Sequence, residues 1–477
     1  MFRLSLLLAF AVALPARAQP EPVEKDGKLT ITLTLHPTAA AVPLSKMSLY
    51  PDYGDVQPGN RIQGLLKVFM EQDAFFRTVG TEEWQKWLTM PLAELPDDIR
   101  VKGSVASGIQ YDAKYTTFLG YLDKGARYAT IDWNEYFDLR KDGFYLLLPE
   151  VQKIRALAAV AKLRLRGEIK AGEYAKAATT VKTLLGMGQA MEQHPTLVGE
   201  LVGIAIDAIA LTGVEEMIGQ PGCPNLYWAL TDLPRPLVSL RRGVGGERMF
   251  LLAQFEKFLK AERPWTEKEF RDLFDTLDEV LVLEQQRGGG LLPKLLSGAR
   301  LRYAVQTADS ARLTAARARL VAGGMPSDGV KAMGDLQIAV LDDFHRYEIL
   351  RDEYFKAIHL PYHEGKADTE KVDRGLTAAK AKGDIIGPAL MPAVWKVTQA
   401  QARLDQRVAF LRAVEAVRLY AHANKGELPA KLADLTVPVP TDPVTGKPFE
   451  YAVADGVATL SGGKLLNVRE YRLTVKK

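Results

Sequence analysis

Imidazole and carboxylate side chains are the ligands of zinc and non-haem iron, and one stretch of this 477-residue sequence carries both at helical spacing. His345, Glu348, Asp352 and His359 are separated by three, four and seven residues, which puts all four on one stripe of a persistent helix. His363 and Glu364 lie just beyond. Pro361 stands between the two terminal histidines, so His359-x-x-x-His363-Glu364 is not a helical HExxH zinc motif. Two readings stay open: a divalent-metal site that activates water for hydrolysis, or the polar face of a solvated helix.

Other chemistry has less foothold. There is no Gly-x-Ser-x-Gly elbow, and the single cysteine, Cys223 in Pro221-Gly222-Cys223-Pro224, has no catalytic signature around it. It forms no intramolecular disulfide and is either a reactive thiol or a small buried apolar group. Thr445-Gly446-Lys447 runs into Pro448 without the glycine spacing of a P-loop. Gly243-Val244-Gly245-Gly246 follows Arg241-Arg242 and reads as a helix break, not a dinucleotide fingerprint. Glycosidase chemistry needs two carboxyl groups about 5–9.5 Å apart. The sequence neighbours Glu82-Glu83, Asp97-Asp98 and Asp342-Asp343 read instead as helix or turn surface. Tyr227 and Trp228 are the partner-binding candidates: exposed, they anchor a protein or a glycan; packed on the apolar stretch before them, they are core. No organic cofactor is expected.

The elements that must hold these residues are mostly helical. Arg3, the short apolar run Leu4–Leu14, Pro15 and Ala16-Arg17-Ala18 read as a cleavable secretory signal over residues 1–18. The apolar run is far shorter than the roughly 20 residues of a membrane-spanning helix. Export to the periplasm or the extracellular space is therefore expected, with no transmembrane segment after signal removal. Arg3 and Arg17 supply two of the formal +4 charges, so the balance predicts no nucleic-acid partner. Hydrophobic residues at 47% and charged residues at 25% predict a folded chain that relies on helix packing in place of disulfides.

Leu29–Leu35 alternates apolar residues with Thr and predicts an edge-capable strand. Leu148–Ile169 and Glu173–Glu192 predict two helices joined at Lys170-Ala171-Gly172, and Gly172-x-Tyr174 is similar to the junction of a tetratricopeptide-type hairpin, present once. Thr196–Ile218 predicts a core helix, apolar but interrupted by Glu200, Asp207, Glu215 and Glu216. Further helices are expected at 236–262, 266–286, 293–322, 328–359 and 386–423, and short antiparallel strands at 449–453, 457–460 and 471–475. The fold class is mainly α: a small N-terminal α/β region at 19–143, a helical bundle or hairpin body at 144–384, and a long helix with a small α+β module at 385–477.

Two family resemblances follow. Pro224-Asn225-Leu226-Tyr227-Trp228-Ala229-Leu230-Thr231-Asp232-Leu233-Pro234-Arg235-Pro236, with Pro58-Gly59-Asn60, Pro91-Leu92-Ala93-Glu94-Leu95-Pro96 and Asp132-Trp133, resembles an uncharacterised family of large exported bacterial proteins over residues 40–250. That resemblance implies export and a helical middle and brings no catalytic residues. Ala413–Tyr420, Gly426-Glu427-Leu428-Pro429 and Thr441-Asp442-Pro443 through Tyr451 are similar to the globular end of a type II secretion pseudopilin. The ordinary signal in place of a prepilin site makes this a folded C-terminal cap and not a pilin subunit. Some pseudopilins bind calcium in the corresponding loop, where Asp442 is the one obvious carboxylate; the alternative is a structural turn. The expectation is a non-catalytic scaffold or protein-binding protein of the cell envelope, of unspecified oligomeric state. The rival is a metal-assisted hydrolase acting on envelope material through His345, Glu348, Asp352 and His359.

Overall fold

The computed structural model describes residues 23–25, 27–42, 47–71, 82–97, 99, 113–134, 148–288 and 299–476. Residues 1–18, read from the sequence as a signal, and Asp98 lie outside them. In chain order the elements are β1 (Val23–Lys25), β2 (Lys28–Leu35), β3 (Gln57–Asn60), α1 (Arg61–Glu71), α2 (Glu82–Thr89), α3 (Ala113–Gly125), β4 (Tyr128–Thr130), α4 (Pro149–Lys170), α5 (Tyr174–Glu192), α6 (Leu197–Ile218) and α7 (Tyr227–Thr231). There follow α8 (Arg241–Leu259), α9 (Glu267–Gly288), α10 (Ala299–Gln306), α11 (Ser310–Ala322), α12 (Ser327–Ala332), α13 (Asp335–Ile358), α14 (Tyr362–Ala381), α15 (Ile386–Leu390), α16 (Pro392–Ala423), β5 (Glu450–Ala454), β6 (Val457–Ser461) and β7 (Val468–Val475). The protein is mainly α with a small mixed sheet.

Two compact units divide the chain, and neither is one consecutive stretch. The larger joins Ala13–Tyr136, Leu148–Gly243 and Gln399–Lys477. The reason lies in the sheet, whose order is β1-β2-β7-β6-β5. β2 runs parallel to β7 from Lys28↔Val468 to Leu35↔Val475, so residues from both ends of the sequence build one layer. The strand expected from the alternation forms, and it lies inside the sheet, with Ile31, Leu33 and Leu35 buried and Thr32 and Thr34 exposed. β5, β6 and β7 are antiparallel as their turn residues predict. Phe410 of α16 packs on this sheet, 4.4 Å from the Phe449 ring and 5.2 Å from that of Tyr471.

The helical core of this unit is α4, α5 and α6. Gly172 adopts φ +72, a left-handed backbone that a side chain disfavours, and this lets α4 turn into α5. Tyr174 closes the same end by donating its hydroxyl to Pro221 O at 2.7 Å. Thr196 caps α6, accepting from Gly199 N at 3.2 Å. α6 has the length and hydropathy to cross a membrane, yet 78% of its apolar window is buried inside the protein. It is the core helix its four acids predict. Small residues let α5 reach it: a Cβ on Gly203 would stand 3.1 Å from Gly188 O.

The smaller unit comprises the described residues of Val244–Thr398. Phe344 and Phe255 meet at 5.0 Å, and Trp265 packs between Phe258 and Phe270. Its buried acids are not surface residues, contrary to expectation. Asp342 accepts from Arg319 at 2.8 Å and pairs with Arg346 at 3.1 Å; Asp343 accepts from Tyr303 Oη at 2.7 Å and Ile385 N at 2.9 Å. Three expected helices are also subdivided, the third of them at Met391 between α15 and α16. Residues 307–309 separate α10 from α11, Met333 and Gly334 separate α12 from α13, and α14 lies where no helix is expected. The glycine run 243–246 does not break a helix but opens one, α8.

Candidate functional site

The histidine–carboxylate stripe starts as the spacing predicts and then comes apart. His345, Glu348 and Asp352 lie on α13, but His359 is its C-cap, with its N–H turned back to Lys356 O at 3.3 Å. Pro361 then begins α14, so His363 sits on another element and pairs with its neighbour Glu364 at 3.7 Å. Arg351 occupies the carboxylates: Asp352 lies 3.0 Å from its guanidinium and Glu348 3.7 Å. His345 faces the end of α11, where a Cβ on Gly323 would come within 2.7 Å of its Cε1. Among the described residues no three His, Cys, Asp or Glu side chains converge to hold a metal ion. Asp442 is a structural turn: its oxygens accept from Val444 N at 3.0 Å, Gln406 Nε2 at 3.1 Å and Gly463 N at 2.6 Å.

Tyr227 and Trp228 part company. Tyr227 is 1% exposed, with its hydroxyl donated to Pro438 O, whereas Trp228 is 43% exposed. The rings meet edge to face at 5.0 Å and 87°. The short helix that carries them is fixed from behind by a fully buried ion pair on α16, Glu415 with Arg418 at 2.9 Å. Glu415 accepts from Asn225 Nδ2 and from Leu226 N at 3.0 Å, and Asn225 Oδ1 accepts from Tyr227 N at 3.0 Å. Arg418 donates to His36 O and Cys223 O. Burial lifts the Glu415 carboxyl and Arg418 opposes it. The indole is therefore displayed on a backbone that cannot shift without breaking buried charge-assisted bonds.

Two arginines meet at Thr231, on the short helix that carries the indole. Arg412 donates Nε to Thr231 Oγ1 at 3.1 Å and lies 5.7 Å from the Tyr227 ring centre; Arg235 donates to Thr231 O at 3.3 Å. Burial, and then the nearby Arg235 charge, lower the Arg412 pKa. Neither guanidinium was marked by the sequence, because the residues that bring them together are 177 positions apart.

A second group of titratable residues lies inside the larger unit. Asp207 on α6 is fully enclosed, and burial, then Glu192, then Asp405 raise its pKa well above the usual carboxylate range. Its Oδ1 has no hydrogen-bond partner and lies so close to Gly188 that any Cβ there would collide. Glu192 accepts from Ser239 N at 3.0 Å and Asp405 from Leu237 N at 2.9 Å, while Gln401 donates to Val238 O at 2.6 Å. Burial lifts Asp405 to about 7 and raises Glu192 as well. Tyr50 and Arg61 complete the surroundings, and burial lowers Arg61 to about 10. Asp405 is protonated in the fold below pH 7, and Glu192 and Asp405 tie the 237–239 loop to α5 and α16. Of these, only Asp207 left a mark in the sequence, as one of the interruptions in α6.

Cys223 is inert by position: it is completely buried, and burial pushes its thiol up to about 12. The smaller unit has a cavity of about 140 Å³ whose lining includes Tyr354, Val372, Leu376, Met391, Asp373 and Lys380. That is well below the roughly 300–1,000 Å³ of ordinary ligand sites. Comparison with known protein families, with curated proteins and with solved structures finds no match to this chain.

Proposed function

We propose that this protein is an exported, non-catalytic binding protein of the cell envelope, and that Trp228 is the anchor it offers to a protein partner. The observation that carries the reading is the exposed indole on a rigid mount. Large apolar side chains next to arginine dominate protein–protein hot spots, and a preorganised anchor loses little entropy on docking. The sequence supports the location through its signal-like residues 1–18 and its resemblance to an exported bacterial family. The C-terminal segment from α16 through β7 fits a pseudopilin-like cap, here serving as the support behind the 223–231 segment. The α4–α5 hairpin, similar to a single tetratricopeptide-type unit, supplies a second helical surface.

The test is capture from envelope extract by the purified protein and by Trp228→Ala. A partner enriched by the first and lost with the second supports the reading. Equal capture by both, or none above background, refutes it.

A further inference from the structure

We propose that Arg235 and Arg412 make the Trp228 surface a reader of acidic polypeptide, so that a partner's Asp or Glu carboxylates dock on the two guanidiniums while an apolar side chain covers the indole. This rests on the binding role of Trp228 proposed above and names the chemistry of the partner.

Four other buried arginines of this unit meet a carboxylate, and a fifth, Arg61, is held by three oxygen acceptors, Tyr128 O at 2.9 Å, Gly186 O at 3.1 Å and Gln189 Oε1. Arg164 is matched with Asp123 at 2.6 Å, Arg166 with Glu216 at 3.1 Å, Arg418 with Glu415 at 2.9 Å, and Arg407 with Glu215. Arg412 is 7% exposed yet pairs with no carboxylate among the described residues. It has a hydroxyl on one nitrogen and a tyrosine ring beside it. Enclosed cations are normally paired, because their desolvation is expensive. A second cation, Arg235, is set on the same threonine, which adds repulsion instead of relieving it. Asp232, exposed in the same turn, forms an ion pair with neither. Two guanidiniums that meet no carboxylate and share Thr231 form a site complementary to anions, and their planar forks match carboxylates.

The third component selects polypeptide over anionic polysaccharide. Sugar chains are held by rows of exposed ring faces. Here the segment 223–243 presents a single exposed aromatic ring, set edge to face on its buried neighbour. A lone indole on the same short helix as the threonine that holds two arginines has the composition of a protein hot spot, in which tryptophan, tyrosine and arginine predominate.

The experiment measures anisotropy of a fluorescein-labelled peptide of alternating glutamate and leucine, its glutamine counterpart, and labelled polygalacturonate. Each is titrated with the full chain and with Arg235→Gln, Arg412→Lys and Trp228→Ala. Arg235 is exposed, so its variant keeps the test valid should Arg412 variants fold poorly. The expected result is binding of the glutamate peptide that weakens roughly tenfold in each variant, as for loss of one charge-assisted contact. The binding also falls with added salt, and the glutamine peptide does not bind. Equal binding of the glutamate and glutamine peptides, or preference for polygalacturonate, overturns the inference. If the acidic peptide does not bind while capture of an envelope protein still depends on Trp228, the inference fails and the binding role stands. If no Trp228-dependent binding is found with peptide or extract, both fall.

Discussion

Asp405→Asn separates the buried carboxylate cluster from its charge and gives a signed prediction. The carboxyl of Asp405 titrates near 3.8 in the unfolded chain and is lifted to about 7 by burial in the fold. Below pH about 4 both states hold the proton, and the group contributes no destabilisation. As pH rises the unfolded chain ionises first, so stability is lost at about 1.4 kcal/mol per pH unit until the folded carboxyl also ionises near pH 7. Beyond that the deficit is constant, up to about 4 kcal/mol. The raised values of Glu192 and Asp207 deepen the same trend, and Arg61 and Tyr50, the other ionisable neighbours, keep their charge states over this range. Asparagine keeps an oxygen to accept from Leu237 N and cannot ionise. Urea titration followed by circular dichroism at pH 5, 6, 7 and 8 should show the variant gaining on the wild type with each step, then levelling off. Parallel curves across that range, or a variant less stable at pH 8, would refute the assignment of a buried neutral acid.

The remaining predictions concern packing, charge and metal. Arg418→Ala leaves Glu415 buried without its partner and should lower unfolding free energy by about 3–5 kcal/mol, measured by urea titration; an effect below 1 kcal/mol would contradict the mount described for α7. Gly213→Ala drives a Cβ to 2.2 Å from Leu165 Cδ2 and should cost about 1–3 kcal/mol, whereas Gly245→Ala, with open space around it, should stabilise by about 0.5–1 kcal/mol. Native Cys223 should resist a thiol reagent at pH 8 and react fully in denaturant; prompt labelling of the folded protein would contradict its burial. Elemental analysis should find no stoichiometric zinc or iron, and His345→Ala should leave metal content unchanged. One equivalent lost in that variant would restore the hydrolase reading.

Local patterns were legible where one rule dominated. Period-two alternation marked β2, the Gly172 turn marked the α4–α5 hairpin, and Asp455-Gly456 and its flanking residues marked the β5–β6 hairpin, with Asp455 and Gly456 both at positive φ. The parallel partnership of β2 with β7 was not legible, because nothing local ties residue 28 to residue 468. α14 was missed since its sequence, Tyr362–Ala381, is rich in charged residues and follows Pro361, which reads as an end and here starts a helix. The glycines at 243–246 misled in the other direction: Gly243 is needed because its N–H meets the Glu200 carboxylate at 2.5 Å and a Cβ would collide with it. At the candidate site the tyrosine and tryptophan were visible in sequence, but which one faces solvent depends on Pro438 and Arg412, far along the chain. The metal stripe was a true periodicity that ended one residue too early, at the C-cap.

Photocrosslinking tests the central claim most directly, with Trp228→benzoylphenylalanine made in the producing cell and Tyr53→benzoylphenylalanine, at an even more exposed position, as the control. Irradiation is predicted to attach one discrete envelope protein at position 228 and not at position 53. No adduct at position 228, or the same adducts from both positions, would contradict it.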